Sequence, residues 1–186
     1  MKIYLKNMVC HRCKIMVQSI LEELKVPYLS INLGEIDLEV TLDSGKEQEL
    51  IERFQALGFE WINDKKSQII ERIKTLIIDL VHHQDNTLKS NLSTYLAEDL
   101  LQSYAVLSTL FSEVENQTIE HFYIAQKIEK VKELLMYDEL NLSEIALKLQ
   151  YSSVAHLSRQ FKKVTGFTPT YFKKLKDKKR QQIDKL

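Results

Sequence analysis

The first 64 residues alternate between two hydrophobic periods. Four segments alternate apolar and polar residues, as half-buried strands do, and two segments between them place apolar residues every three or four positions, as amphipathic helices do. Ser44 and Glu47 are typical of a capping box that opens the second helix. The order predicts an α+β domain of the ferredoxin-like βαββαβ type. We expect strands at Lys2–Lys6, Tyr28–Asn32, Ile36–Leu42 and Phe59–Ile62, and helices at 14–24 and 44–57. The buried face of the first helix is predicted to consist of Ile15, Val17, Ile20, Leu21 and Leu24.

A helix is predicted at Ser67–His83, where the chain leaves this domain. Its apolar positions follow a 4-3-4 spacing, which indicates a stripe that packs against another surface. Three roles remain open for this stripe. It packs against the domain that follows, it pairs with a second copy of the chain in a homodimer, or it acts as a lever that carries a signal from the N-terminal domain to the C-terminal half. The stripe consists of Ile69, Ile73, Leu76 and Leu80.

The C-terminal half contains an internal repeat. With an offset of 50 residues, 103–122 aligns with 153–172 without gaps, and eight of the 20 positions are identical. Two identical pairs are large and apolar, Leu107/Leu157 and Phe111/Phe161. A repeat of this kind indicates two copies of one supersecondary unit.

Each copy has the pattern of a helix, a tight turn and a second helix. In the second copy, Ser143 is predicted to cap the first helix, and Ser153–Val164 to form the second, which Gly166 ends. This is the helix-turn-helix geometry, in which the second helix enters the major groove of DNA. The inward positions of that helix are predicted to be Ala155, Leu157, Phe161 and Val164.

The outward faces of the two second helices differ in charge. The face of the second copy is polar and basic, and its side chains suit base edges and phosphates. The face of the first copy has no positive charge, so we expect the second copy to supply most of the attraction to double-stranded DNA. The outward positions are Tyr104, Val106, Ser108, Thr109, Leu110, Ser112 and Glu113 in copy one, and Val154, His156, Ser158, Arg159, Gln160, Lys162 and Lys163 in copy two.

A long helix is predicted between the copies, at Ile119–Tyr137. Its 19 residues span roughly 28 Å. A rod of that length can hold two recognition helices about one turn of DNA, on the order of 34 Å, apart.

Charge is divided unevenly along the 186 residues, although 26 basic and 26 acidic side chains cancel. Residues 1–126 carry a net charge of −7 and residues 127–186 one of +7. This division favours an anionic partner for the C-terminal part, most simply nucleic acid, and the alternative is a solvated basic tail from Lys173 to Arg180. No apolar run is long enough for a membrane span, and no signal-peptide core is present, so we expect a cytoplasmic protein. Paired carboxylates, a catalytic triad and a phosphate loop are lacking, so an enzyme is not expected.

The only two cysteines, Cys10 and Cys13, lie where the first strand meets the first helix. The positive end of a helix lowers thiol pKa values, and two thiolates three residues apart can hold one soft ion, foremost Cu(I) and secondarily Zn(II). Two alternatives stay open: a thiol redox switch, and a domain that binds no metal.

This segment resembles the heavy-metal-associated domain of copper chaperones and metal-pump N-termini. The motif Met-x-Cys-x-x-Cys is matched by Met8, Cys10 and Cys13, and the Gly-aromatic pair after the second helix by Gly58-Phe59. The resemblance implies that Cys10 and Cys13 are metal ligands and that the ring of Phe59 covers the loop. Asn7 stands where that family usually has glycine.

Residues 86–175 resemble the DNA-binding domain of AraC-type transcription regulators. The signature is Ile145-Ala146, Tyr151-Ser-Ser, Leu157-Ser-Arg159, Phe161-Lys-Lys163 and Gly166-Phe-Thr-Pro169-Thr-Tyr-Phe172, with Gln150 in place of the usual glycine at the turn. The resemblance implies base contacts from both recognition helices: Ala105, Ser108 and Thr109 of the first, and Val154, His156, Ser158, Arg159 and Lys162 of the second. We add two neighbouring residues as candidate DNA contacts, Ser153 and Lys163.

The sequence therefore predicts a sequence-specific DNA-binding transcription regulator that responds to a soft metal at Cys10 and Cys13. The alternative is a metal-trafficking or buffering protein whose helical part docks a protein partner. In fold class the chain is predicted to be α+β and then all-α: a ferredoxin-like domain at 1–64, a linker helix at 65–85, and a double helix-turn-helix domain at 86–186 with a long connecting helix.

Overall fold

The computed structural model describes residues 1–88 and 90–175, which form two compact units. The first unit holds residues 1–79 and 90–114, and the second holds 80–88 and 115–175. These units follow spatial packing and do not coincide with the predicted boundaries at 64/65 and 85/86. Of the predicted basic tail, residues 173–175 are described, and the part after Leu175 lies outside the described residues.

The order of elements predicted for residues 1–64 is confirmed. Four antiparallel strands form one sheet in the order β2-β3-β1-β4, with Ile3 opposite Ile36 and Leu5 opposite Trp61. The elements are β1 (Lys2–Lys6), α1 (His11–Glu23), β2 (Tyr28–Asn32), β3 (Glu35–Leu38), α2 (Ser44–Ala56) and β4 (Glu60–Trp61).

The core of this region lies between the sheet and the two helices. Alternate residues of β1, Ile3 and Leu5, are buried, and α2 buries Leu50 and Phe54 at helical spacing. On α1 the predicted face is correct for Val17, Ile20 and Leu21, but Ile15 is 54% exposed. Ile15 is two residues from Val17, roughly 200° around a helix, so the two side chains cannot both point inward.

Two element boundaries differ from the prediction. The cap of α2 is Asp43, whose Oδ1 accepts a hydrogen bond from the Lys46 amide at 2.9 Å, so the predicted Ser44 cap is wrong. β3 ends at Leu38 and not at Leu42, because residues 39–41 are exposed and gain nothing from a further buried alternation.

The linker helix α3 (Lys65–His82) is buried within the chain. Ile73 and Leu80 are fully buried, Leu76 is 8% exposed and Ile69 is half-buried. Ile73, Leu76 and Leu80 are therefore covered within the chain, and a homodimer through this stripe is not supported.

In the first unit, α3 contacts both the sheet and α4 (Leu92–Leu100). Arg72 Nη2 lies 2.9 Å from Asp99 Oδ1 of α4, and Arg72 Nε lies 3.8 Å from Glu35 Oε2 of β3. The turn before β3 approaches the same helix so closely that a Cβ at Gly34 would lie 3.0 Å from the Thr75 hydroxyl oxygen. The linker helix thus connects the sheet to the first helix of the repeat.

The repeat is visible in the helices. The second helix of each copy, α5 (Tyr104–Glu115) and α8 (Val154–Thr165), has the same length and lies at an offset of 50 residues. The caps of the preceding helices, Asn91 and Asn141, have the same offset, and the predicted cap at Ser143 is wrong. The remaining helices are α6 (Ile119–Tyr137), with the predicted bounds, α7 (Leu142–Lys148), and a helical segment at 169–175.

The burial pattern also repeats. From residue 103 to 111 and from 153 to 161, each position has the same burial class as its counterpart 50 residues away. Leu157 and Phe161 are buried as predicted, but Ala155 is exposed and Val164 is 42% exposed. Both mispredicted side chains are small or lie near the end of the helix, where exposure costs little.

The second unit has its own core, in which α6, α7 and α8 meet. Its buried side chains include Ile128, Val131, Ile145, Leu157 and Phe161. None of the described helices combines the length and the apolar character that a bilayer span requires.

A buried lysine lies at the edge of this core. Lys127 of α6 is 7% exposed, and its Nζ lies 3.8 Å from the ring centroid of Tyr151 and 5.4 Å from that of Tyr123. Burial lowers the pKa of Lys127 to about 8, while the aromatic rings stabilise its charged form. The Tyr123 hydroxyl donates to Asn86 Oδ1 at 2.5 Å, and Asn86 Nδ2 donates to the Leu149 carbonyl oxygen at 3.0 Å. These contacts connect the 80–88 segment, α6 and the turn before α8.

We expect Lys127→Met to raise the free energy of unfolding at pH 7 by on the order of 2 kcal/mol, because it removes a buried charge. The pKa of Lys127 is lower in the folded chain than in the unfolded one, so the wild type should gain stability as the pH rises from about 8 towards 10. The variant should lack that gain in urea titrations over this range. Lys132→Met, on the same helix but more exposed, serves as the control and should keep it. A parallel pH dependence in Lys127→Met and the wild type would contradict the assignment.

Candidate nucleic-acid interface and cysteine pair

Local signals at both ends of α8 define this helix. The Ser153 hydroxyl accepts a hydrogen bond from the His156 amide at 3.1 Å, and Gly166 ends the helix with a left-handed φ of 81°. Because Leu157 and Phe161 are buried, the opposite side of α8 faces solvent. Ser153 is exposed, but its hydroxyl is already engaged as the cap.

The structure brings the predicted basic residues of α8 together on its solvent face. His156, Arg159, Lys162 and Lys163 are all exposed, while Val154 and Ser158 are half-buried. Spacings of three and four residues align His156, Arg159 and Lys163 along one side of the helix. The face therefore presents guanidinium, ammonium and imidazole groups to a ligand.

The imidazole of His156 is held in position by the turn before the helix. His156 Nδ1 lies 3.0 Å from Ser152 Oγ, and its ring packs edge-on against Tyr151, with a centroid distance of 5.4 Å and an interplanar angle of 88°. The Tyr151 hydroxyl donates to Gln160 Oε1 at 2.8 Å. These contacts engage Nδ1 of His156 and the side-chain oxygen of Gln160, so Nε2 is the His156 nitrogen directed to other partners.

The solvent face of α5 has different chemistry at equivalent positions. Ala105 and Thr109 are exposed, Val106 is 54% exposed, and Ser108 is half-buried. The charged residues of α5 are Glu113 and Glu115, so the helix carries no cation. The two faces are thus equivalent in position, and positive charge is present on that of α8 and lacking on that of α5.

The cysteine pair lies at the start of α1. Cys10 is the N-cap and Cys13 is in the first turn; both are half-buried, and their sulfur atoms lie 3.2 Å apart without a disulfide bond. Hydrogen bonds from the side chain and the backbone amide of Cys13 lower the pKa of the Cys10 thiol. Among the described residues, no group of three or more His, Cys, Asp or Glu side chains is arranged to hold a metal ion.

Asn7 connects the cysteine loop to the end of α2. It has a left-handed φ of 69°, and its Nδ2 donates to the Gly58 carbonyl oxygen at 3.0 Å. Asparagine tolerates this conformation better than other residues with a Cβ, which explains how it replaces glycine here. Met8 is 1% exposed and Phe59 4% exposed, so both anchor the loop to the core.

Sequence reasoning missed three residues that support the interface: Asn86, Lys127 and Ser152. For Lys127 a signal was present, because it lies three residues after Ile124 and four before Val131, on the apolar stripe of α6. No comparable local signal marks Asn86 or Ser152, since their partners are set by turn geometry and by distant segments.

Comparison with known proteins identifies the C-terminal part. Residues 96–175 match the family model described as a helix-turn-helix domain. The chain is 32% identical over 111 residues to an uncharacterized HTH-type transcriptional regulator of Staphylococcus aureus, a match that covers 60% of this chain and 14% of that protein. The chain thus spans about one seventh of the length of the curated relatives it matches.

Two solved structures are similar to the C-terminal region. The C-terminal domain of AraT, a response regulator from Geobacillus stearothermophilus, has a TM-score of 0.51 and 27% identity, covering 60% of this chain and 88% of that one. The DNA-binding domain of the global transcriptional factor AdpA, solved with a target DNA, has a TM-score of 0.50 and 17% identity, covering 64% and 99%. The second likeness concerns the fold alone. Together with the family match, the first of these similarities shows a helix-turn-helix domain in residues 96–175.

Substitutions at Asn7 test the constraint on the cysteine loop. Asn7→Ala should destabilise the N-terminal region by about 1–2 kcal/mol, because alanine is strained at positive φ and lacks the hydrogen bond to Gly58. Asn7→Gly, the matched control, also lacks the hydrogen bond but relieves the strain, so it should be more stable than Asn7→Ala by about 1 kcal/mol. The single tryptophan, Trp61 in β4, reports unfolding of this region by fluorescence. Equal stability of the two variants would show that the backbone at residue 7 is unconstrained.

Proposed function

We propose that this chain, whose residues 96–175 match a helix-turn-helix domain, is a sequence-specific DNA-binding transcription regulator of the AraC type. In this proposal both helix pairs, α4–α5 and α7–α8, are helix-turn-helix units, and α6 connects them. Double-stranded DNA is the partner, and α8 is the principal recognition helix.

The observation that carries the proposal is the exposed cationic face of α8. Arg159, Lys162 and Lys163 project from a helix whose rotation is set by two buried side chains, Leu157 and Phe161. Contacts of lysine and arginine to phosphates supply sequence-independent affinity, and arginine also pairs with guanine edges in the major groove. His156, positioned through Ser152 and Tyr151, adds a donor or acceptor for a base edge.

We further propose that the N-terminal region is a ferredoxin-like, heavy-metal-associated-like domain that senses a soft metal. The donor set fits such an ion: two thiols of one loop, one with a lowered pKa, favour a soft ion of low coordination number such as Cu(I). It does not fit a closed structural zinc site, which needs four protein ligands. Cys10 and Cys13 would hold the ion through their sulfur atoms.

A route from this domain towards the first helix pair exists within the first unit. Arg72 pairs with Asp99 of α4 at 2.9 Å and approaches Glu35 of β3 at 3.8 Å. Both carboxylates and the guanidinium are partly exposed, so the pairs contribute little stability individually. These ion pairs support the proposal because Arg72 of α3 connects β3 of the sheet with α4.

Replacing Arg159 and Lys162 by alanine together should weaken binding to a selected operator by roughly 10- to 100-fold and reduce the slope of log K against log salt by about 2. Fluorescence anisotropy over a series of salt concentrations measures both quantities. The matched control is Lys46→Ala with Lys66→Ala, which removes two exposed cations elsewhere. If both double variants bind like the wild type at every salt concentration, α8 is not the DNA contact.

The double substitution Cys10→Ser and Cys13→Ser should abolish stoichiometric Cu(I) binding and any Cu(I)-dependent change in operator affinity, while leaving metal-free affinity unchanged. Competition with a colorimetric Cu(I) chelator under anaerobic, reducing conditions measures the first effect and keeps disulfide chemistry out. His11→Ala removes a neighbouring exposed imidazole and should retain both properties. Cu(I) binding by the serine variant, or operator affinity indifferent to Cu(I) in the wild type, would refute metal sensing.

A further inference from the structure

The first recognition helix, α5, exposes apolar groups at two positions, Val106 and Thr109, where α8 exposes His156 and Arg159. Ala105, Val106 and Thr109 occupy the positions that are Ala155, His156 and Arg159 in α8, and the burial classes at these positions are identical. The first copy therefore presents the same side of its helix to solvent with a different chemistry. A helix that carries only Glu113 and Glu115 as charges gains no attraction to phosphates.

The hydroxyl of Thr109 is engaged by its own helix. Thr109 Oγ1 donates to the Ala105 carbonyl oxygen at 3.0 Å. This hydrogen bond fixes the rotamer and directs the hydroxyl along the backbone, which leaves the Thr109 methyl group as the exposed part of the side chain. The Thr109 methyl group, the Cβ of Ala105 and the isopropyl group of Val106 together form an apolar patch on the exposed face of α5.

An apolar patch of this kind has one complementary feature in the major groove of DNA. Thymine is the only base that presents a methyl group there, and alanine and threonine methyl groups make apolar contacts with it. Guanine and adenine edges require donors or bidentate side chains, which Ala105, Val106 and Thr109 do not offer at this face.

We propose that α5 recognises thymine by its 5-methyl group, through Ala105, Val106 and Thr109, while α8 supplies charge and polar base contacts. The inference rests on the proposed DNA-binding function. It predicts a bipartite operator: one half-site contains thymines that are recognised by apolar contact, and the other is bound mainly through cationic side chains.

The experiment uses the full chain and an operator selected from a random duplex pool. Each thymine is replaced in turn by deoxyuridine, which lacks only the 5-methyl group and keeps every hydrogen-bonding atom. Replacements in the half-site of α5 should weaken binding by about 4-fold for each contacted methyl, the factor expected for one buried group of this size. Replacements in the half-site of α8 should have smaller effects.

Two variants of Thr109 assign the effect to this helix. Thr109→Ser deletes the exposed methyl and keeps the hydroxyl that bonds to Ala105, so it should weaken binding to the thymine operator and abolish the effect of deoxyuridine at one position. Thr109→Val keeps the methyl and deletes the hydroxyl, so it should retain that effect. Circular dichroism melting curves of both variants check that the helix is intact.

The outcomes separate the inference from the function on which it rests. Tight, salt-dependent binding that is indifferent to every deoxyuridine, or a thymine effect that Thr109→Ser leaves unchanged, would overturn recognition by α5 and preserve DNA binding through α8. A wild-type chain that binds no selected or random duplex would overturn both.

Discussion

The orientation of the exposed faces of α5 and α8 depends on the burial of a leucine and a phenylalanine four residues apart. Leu107 with Phe111 in α5, and Leu157 with Phe161 in α8, are fully buried. Each such side chain contributes roughly 1.5–3 kcal/mol on burial, more than any single exposed contact of the same helix. The rotation of both helices is therefore set from the inside, and the outside is free to carry cations in one copy and methyl groups in the other. The repeat preserves the packing while the surface chemistry differs.

Large apolar side chains made much of this fold predictable from the sequence. The element order of residues 1–64, the bounds of α6 and the buried pairs of the repeat all follow from hydrophobic periodicity, because burying these side chains dominates the energy. Helix caps were predictable in kind but not in position. Asp43 and Asn141 cap α2 and α7 in place of Ser44 and Ser143, since serine, aspartate and asparagine cap almost equally well and adjacent candidates differ little in energy.

The polar interior was predictable only in part. Lys127 lies on the apolar stripe of α6, so its burial had a local signal, yet its contact with the ring of Tyr151 joins residues that are remote in sequence. Asn86 bonds to a carbonyl oxygen 63 residues away, and its other partner is the Tyr123 hydroxyl. Such contacts depend on how the backbone closes upon itself. In the candidate site, the cationic residues of α8 were therefore identified from sequence, whereas the groups that orient His156 required the structure.

The two compact units are interleaved along the chain. The polypeptide passes from the first unit to the second near residue 80, returns near residue 90, and leaves again near residue 115. Neither unit is a continuous stretch of sequence, so a single cut at a motif boundary would divide the residues of at least one of them. During synthesis on the ribosome, the first unit cannot be completed until residue 114 has emerged. The sheet domain and the first helix pair belong to one unit, and a fragment that ends at residue 64 would lack α3, which contacts that sheet, and α4, which contacts α3.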